Sequence, residues 1–106
     1  MLALPEPPPD ASDLTTMSDP LRSMINDVVV LDTTSPIVYI GTLVEVTEHT
    51  FVLHDADMHD CRDGHATKEH YIAQMRCDEV PVNRTRVIVM RSAVISVSRL
   101  EDIVSE

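Results

Sequence analysis

With 106 residues, 43% of them hydrophobic but only 3% aromatic and none tryptophan, the chain has the size of one compact domain with an aliphatic core and a tail. Its 18 acidic against 8 basic side chains give a net charge of −10, which opposes generic binding to nucleic acid, DNA included, or to anionic membranes, since phosphate contacts need a basic footprint. No run approaches the ~20 apolar residues of a membrane span, two glycines exclude a glycine-rich phosphate loop, and two cysteines make no disulfide framework.

Residues 1 to 17 are rich in proline and acid, with Pro5, Pro7, Pro8 and Pro9 followed by Asp10 and Asp13, and are expected to form a disordered arm. The start, Met1-Leu2-Ala3-Leu4-Pro5, lacks the basic beginning and long apolar run of a secretory signal, so a cytoplasmic protein with reduced Cys61 and Cys77 is expected. Ser18-Asp19-Pro20 carries the signature of a helix start, and Leu21, Met24 and Ile25 would face one side of a short helix. Val28 to Asp32 is a first strand, and Thr33-Thr34-Ser35-Pro36 is a turn. Ile37 to Thr47 is a long second strand, apolar on both parities in its first half, with Gly41 inside it. A glycine there marks a bulge, a bend or a close backbone approach.

Glu48-His49-Thr50 is a tight connection to a third strand, Phe51 to Asp57, whose polarity rises toward its end. Residues 61 to 82 break the pattern and read as an insertion, in which Thr67 to Met75 forms a helical turn or two, or a wide hairpin excursion. Asn83 to Arg91 is strand four, Val94 to Ser98 strand five, and Leu100 to Val104 a short closing segment. Five short strands close a barrel only if one bends sharply, and the glycine-interrupted strand supplies the bend. The expected fold is therefore mostly β, a small, strongly bent five-stranded barrel over residues 18 to 104 with a short N-terminal helix. Strand five has no proline or lysine to blunt its edge, so pairing with strand four of another copy would satisfy it. The acid-rich residues 28 to 60 and the arginines Arg84, Arg86, Arg91 and Arg99 could meet across such a boundary, or could form an ordinary solvated exterior.

Tyr39, Gly41, Leu43 and Val46, followed by Glu48-His49-Thr50 and by Phe51, Leu53 and Asp55, resemble the first motif of the Sm-like family. Met90-Arg91-Ser92-Ala93-Val94-Ile95 is similar to its second motif, with Ser92 in place of the usual glycine. The resemblance covers residues 18 to 60 and 84 to 100 and suggests a small bacterial-type member with an Sm-like (SH3-like) barrel. It implies a homo-oligomeric ring, with Ile88, Met90, Ile95, Ser96 and Val97 at the subunit boundary. It also implies single-stranded RNA as a partner at a pore, met by Arg91, Ser92, Glu48, His49 and Thr50. RNA-binding members carry an aspartate and an asparagine in the loop after strand two, where this chain has Glu48 and Thr50. Two readings stay open: an RNA-binding ring, and an assembly scaffold that binds no nucleic acid.

Arg91 could stack on a base, or pair with an acid such as Glu48 or Asp55. Tyr39 and Phe51 read as core. The run His54 to His65 concentrates metal-ligating residue types, and Asp57 and His59, two apart on a strand, are its weak metal candidates. Zinc and calcium spacings are missing, so no metal or other cofactor is expected. Nothing places a base and an orienting group around Cys61 or Cys77, and no enzymatic activity is expected.

Overall fold

Gly41 sets the shape of the molecule. The computed structural model describes residues 19–62 and 67–104; the arm over 1–17, the Ser18 cap, Gly64 and His65 lie outside the described residues. Five strands, β1 (Val28–Thr33), β2 (Ile37–Val46), β3 (Thr50–Asp60), β4 (Arg84–Met90) and β5 (Val94–Arg99), form one sheet in the order β4-β3-β2-β1-β5. Every pairing is antiparallel. β4 and β5 lie on opposite edges, yet only the 3-10 turn Arg91–Ala93 joins them. Four strand spacings would separate the edges of a flat sheet by roughly 19 Å, whereas a 3-10 turn of that length rises only about 6 Å. The sheet must curl.

Two register shifts between β2 and β3 produce the curl. Opposite Gly41, β3 carries one residue too many around Asp55, whose φ of 50° is left-handed. One step further on, Val44 is the extra residue on β2. Each shift is a bulge that bends its strand and flips the side-chain alternation beyond it. Phe51 and Leu53 therefore share the barrel interior with Ala56 rather than with Asp55. Gly41 makes the crossing feasible, since a Cβ there would lie 2.7 Å from Ala56 Cβ and 2.9 Å from its Cα.

The interior is filled by Val29, Leu31, Leu43, Phe51, Leu53 and Val89, with Leu21, Met24 and Ile25 packed against them from the N-terminal side. These three share one side as expected, but the segment before β1 is a single 3-10 turn, Arg22–Met24, not a longer helix. Asn26 stops it with a φ of 78° and a backbone N–H that donates to Leu43 O at 2.6 Å, drawing the chain into the sheet. The third strand runs on to Asp60, three residues past its expected end, because β2 pairs with it as far as Ile37–Asp60.

The inserted segment supplies a second layer. Helix α1 (Lys68–Cys77) lays Tyr71, Ile72 and Met75 on Val30, Val38 and Ile40, the outer side of β1 and β2. Both faces of these strands are thus buried, which is why β2 is apolar on both parities. Each of the three helix side chains contributes roughly 1.5–3 kcal/mol by leaving water. Thr67 caps the helix by accepting from His70 N–H at 3.1 Å. Lys68 Nζ reaches Asp32 Oδ1 at 2.7 Å and Thr33 O at 3.0 Å, fixing the helix start to β1.

A polar clamp sits beneath α1. The Tyr71 hydroxyl donates to one oxygen of the buried Asp57 carboxylate, and Asn83 Nδ2 donates to the other at 2.7 Å. The His59 ring lies flat on Tyr71, with centroids 3.9 Å apart and planes at 5°. Burial, then the bond to Asp57, pushes the Tyr71 phenol well above its usual range, so it stays a donor at any ordinary pH. Tyr71→Phe keeps the stacked ring and removes the donor, leaving a buried carboxylate short of one bond. The expected cost is about 1–3 kcal/mol, read as a fall in melting temperature; an unchanged melt would show that Asn83 alone holds Asp57.

Candidate nucleic-acid interface

The turn between β2 and β3 is built by threonines. Thr47 N–H donates to Thr50 O at 2.9 Å, while Thr47 Oγ1 accepts from Thr50 N–H at 2.9 Å and His49 N–H at 3.2 Å. The two hydroxyls, Thr47 Oγ1 and Thr50 Oγ1, are 2.6 Å apart. This network turns Glu48 and His49 outward, with side chains 88% and 79% exposed and 3.9 Å between Glu48 Oε2 and His49 Nε2.

The turn after β4 comes to meet it. Arg91 N–H donates to His49 O at 2.9 Å, and Arg91 Nη1 donates to Thr47 O at 2.8 Å. The guanidinium carbon lies 5.3 Å from the centroid of the Phe51 ring, within cation–π range. Backbone, side chain and aromatic face thus hold Arg91 in one place. Among the described residues no acid pairs with it; the carbonyl and the ring replace the carboxylate partner that Glu48 or Asp55 would have offered.

Glu48, His49, Arg91 and Ser92 surround a hollow of about 410 Å³, with Met90 as its fifth wall. Four of the five expected RNA contacts therefore come together. Thr50 does not line the hollow; its hydroxyl pairs with Thr47 Oγ1 within the turn. Thr47, which positions Arg91, closes the expected second strand and is not singled out by the sequence, while Phe51, expected there as a motif and core residue, takes its place against Arg91 only in the structure.

The residues expected at a subunit boundary lie on the two outer strands, Ile88 and Met90 on β4 and Ile95, Ser96 and Val97 on β5. Ile88, Met90 and Ile95 are each more than half exposed, at 51%, 53% and 62%. A second hollow of about 280 Å³ runs along β5 between Leu21, Phe51, Val94 and Ile95 and shares Arg91 with the first.

The metal candidates Asp57 and His59 do share a region, but Tyr71 occupies it, and both Asp57 oxygens accept protein donors. No group of three or more His, Cys, Asp or Glu able to hold an ion occurs among the described residues. Burial pushes the Cys61 thiol up, opposite to the shift a nucleophilic cysteine needs.

A small curled five-stranded sheet, with an arginine turn locked against the turn after its glycine-bent strand, defines a class of barrel rather than an activity. No protein-family model and none of the curated proteins matches the chain. Among solved structures it is similar to the Sm protein of Pyrococcus abyssii in complex with a uridine heptamer, at 18% identity and a TM-score of 0.54. The match covers 76% of this chain and 93% of that one. The protein has the Sm-like fold, and nearly the whole of that smaller barrel is contained in it.

Proposed function

We propose that this protein is a non-catalytic Sm-like module that joins copies of itself head to tail into a ring and binds single-stranded RNA at the Arg91 hollow. The observation that carries the reading is the bond from Arg91 N–H to the His49 carbonyl, which unites two loops distant in sequence around one space. Phe51 backs the guanidinium on one side, and its other face suits stacking on a base, a contact that any base can make. The likeness in fold to an Sm protein solved with a uridine heptamer supports RNA as the ligand class. The barrel domain is taken to run from residue 18 to 104, with residues 1–17 as an arm beside it. A chain with only two cysteines, too few for a disulfide framework, suits a reducing compartment such as the cytoplasm.

With two tyrosines and no tryptophan, the protein absorbs little at 280 nm, so any co-purified RNA would dominate its ultraviolet spectrum. Arg91→Ala should weaken binding of a labelled single-stranded RNA, measured by fluorescence anisotropy, by about 1–3 kcal/mol per stacked base lost. Equal affinity of the variant would remove Arg91 from the site. A scaffold that binds no nucleic acid is the second reading, favoured by the exposed Glu48 carboxylate at the rim of the hollow and a net charge of −10. It predicts a nucleic-acid-free spectrum and a flat titration.

A further inference from the structure

Resting on the RNA-binding reading, we infer that the hollow selects a nucleobase whose edge carries two adjacent N–H donors, guanine, and disfavours uracil. The hydrogen-bonding inventory of the two loops carries this. Thr50 is not among the residues lining the hollow, and its hydroxyl is engaged with Thr47 Oγ1 at 2.6 Å. Arg91 is engaged by its Nη1 bond to Thr47 O, with its guanidinium carbon 5.3 Å from the Phe51 ring centroid, an arrangement that suits stacking or phosphate contact better than reading a base edge. The other polar side chains lining the hollow are Glu48, His49 and Ser92, and of these only the exposed Glu48 carboxylate has two acceptor oxygens and no donor.

An acceptor-only group sorts the bases. Guanine offers N1–H and N2–H side by side, so both carboxylate oxygens are satisfied at once. Cytosine and adenine offer one amino group beside a ring acceptor and make a single bond. Uracil offers N3–H between two carbonyls, so a carboxylate that reaches the donor also faces a carbonyl of like polarity. His49, 3.9 Å from the Glu48 oxygen, adds positive character when protonated but leaves the carboxylate's geometry open to the ligand. Ser92 contributes a hydroxyl that either donates or accepts and does not alter the order.

The test is anisotropy titration of the full chain with three labelled heptamers at pH 7: all uridine, alternating guanosine and uridine, and the alternating sequence with inosine for guanosine. Alternation prevents guanine quadruplexes, and inosine keeps N1–H while lacking the 2-amino group. The guanosine heptamer should bind at least roughly tenfold tighter than the uridine one, with inosine between them. Glu48→Gln, which replaces one acceptor by a donor, should bring guanosine and uridine heptamers to within about twofold of each other. Uridine binding as tightly as guanosine, or a guanosine preference that survives Glu48→Gln, would overturn the inference while leaving RNA binding intact. Failure of all three heptamers to bind would overturn the RNA reading and this inference together.

Discussion

Replacing Gly41 by valine is expected to abolish the folded state. The first atom added, Cβ, would lie 2.7 Å from Ala56 Cβ, 2.9 Å from Ala56 Cα and 3.2 Å from the His54 carbonyl oxygen. Two of these three are backbone atoms, and neither strand is free to retreat. Gly41 is paired on its other side with Val29 of β1, and Ala56 with Arg84 of β4. Relief would therefore shift four strands at the point where the sheet curls. Overpacking in a well-filled core costs about 1–3 kcal/mol when side chains can absorb it, and more when backbone must move. A domain of this size has roughly 5–15 kcal/mol in total. Gly41→Ala, which adds Cβ alone, should remain soluble with a lowered melting temperature, and Gly41→Val should aggregate or lose its cooperative melt by circular dichroism. A soluble valine variant with the wild-type melting temperature would show that the bend does not depend on this contact.

The same residue illustrates what the sequence makes legible. A glycine inside the β-branched run Ile37 to Val46 has few other uses, and turn chemistry from Thr33 to Pro36 separates that run cleanly from β1. The bulges are harder to see. Around His54-Asp55-Ala56-Asp57 both parities are mostly polar, so nothing in the pattern reveals that alternation slips at Asp55. Helix α1 is obscured because Tyr71, Ile72 and Met75 sit in a polar segment too short to establish a period, and the helix is held by partners far away in sequence. The helical reading of Thr67 to Met75 holds over the hairpin excursion, and the signal that could have decided between them lies in β2, whose first half is apolar on both faces and so requires cover on both. Asp57 and His59 share this difficulty. Two ligand-type residues at strand spacing suggest a metal, and only the tertiary placement of Tyr71 shows them serving a helix instead. The meeting of Glu48 and His49 with Arg91 and Ser92 follows from the motif order, whereas the roles of Thr47 and Phe51 depend on three-dimensional contact alone.

Ile95→Lys is expected to disperse the proposed ring without unfolding the domain, and it bears most directly on function. β5 pairs with β1 on one side only, and β4 with β3 on one side only, so among the described residues each presents an outer edge without a strand partner. Unpaired edges that carry apolar side chains invite another strand, and monomeric proteins commonly blunt them with lysine or proline. Neither residue occurs in β5 or β4 here, while Ile95 is 62% exposed on one edge strand and Ile88 and Met90 51% and 53% exposed on the other. Because Ile95 has little to lose in the isolated subunit, its replacement should change the melt of a single domain by no more than about 0.5 kcal/mol. The effect should appear in mass instead. Light scattering should give a multiple of the 11.8 kDa chain for the wild type and a single chain for Ile95→Lys. The hollow along β5 shares Arg91 with the hollow between the loops, so a subunit docking at Ile95 would also border the proposed RNA site. Dispersal should then weaken RNA binding although no RNA contact has been altered, because single-subunit contacts no longer add along one strand. A wild-type mass of one chain at micromolar concentration would remove the ring, and with it the means by which a protein of charge −10 could gather enough weak contacts to hold a polyanion.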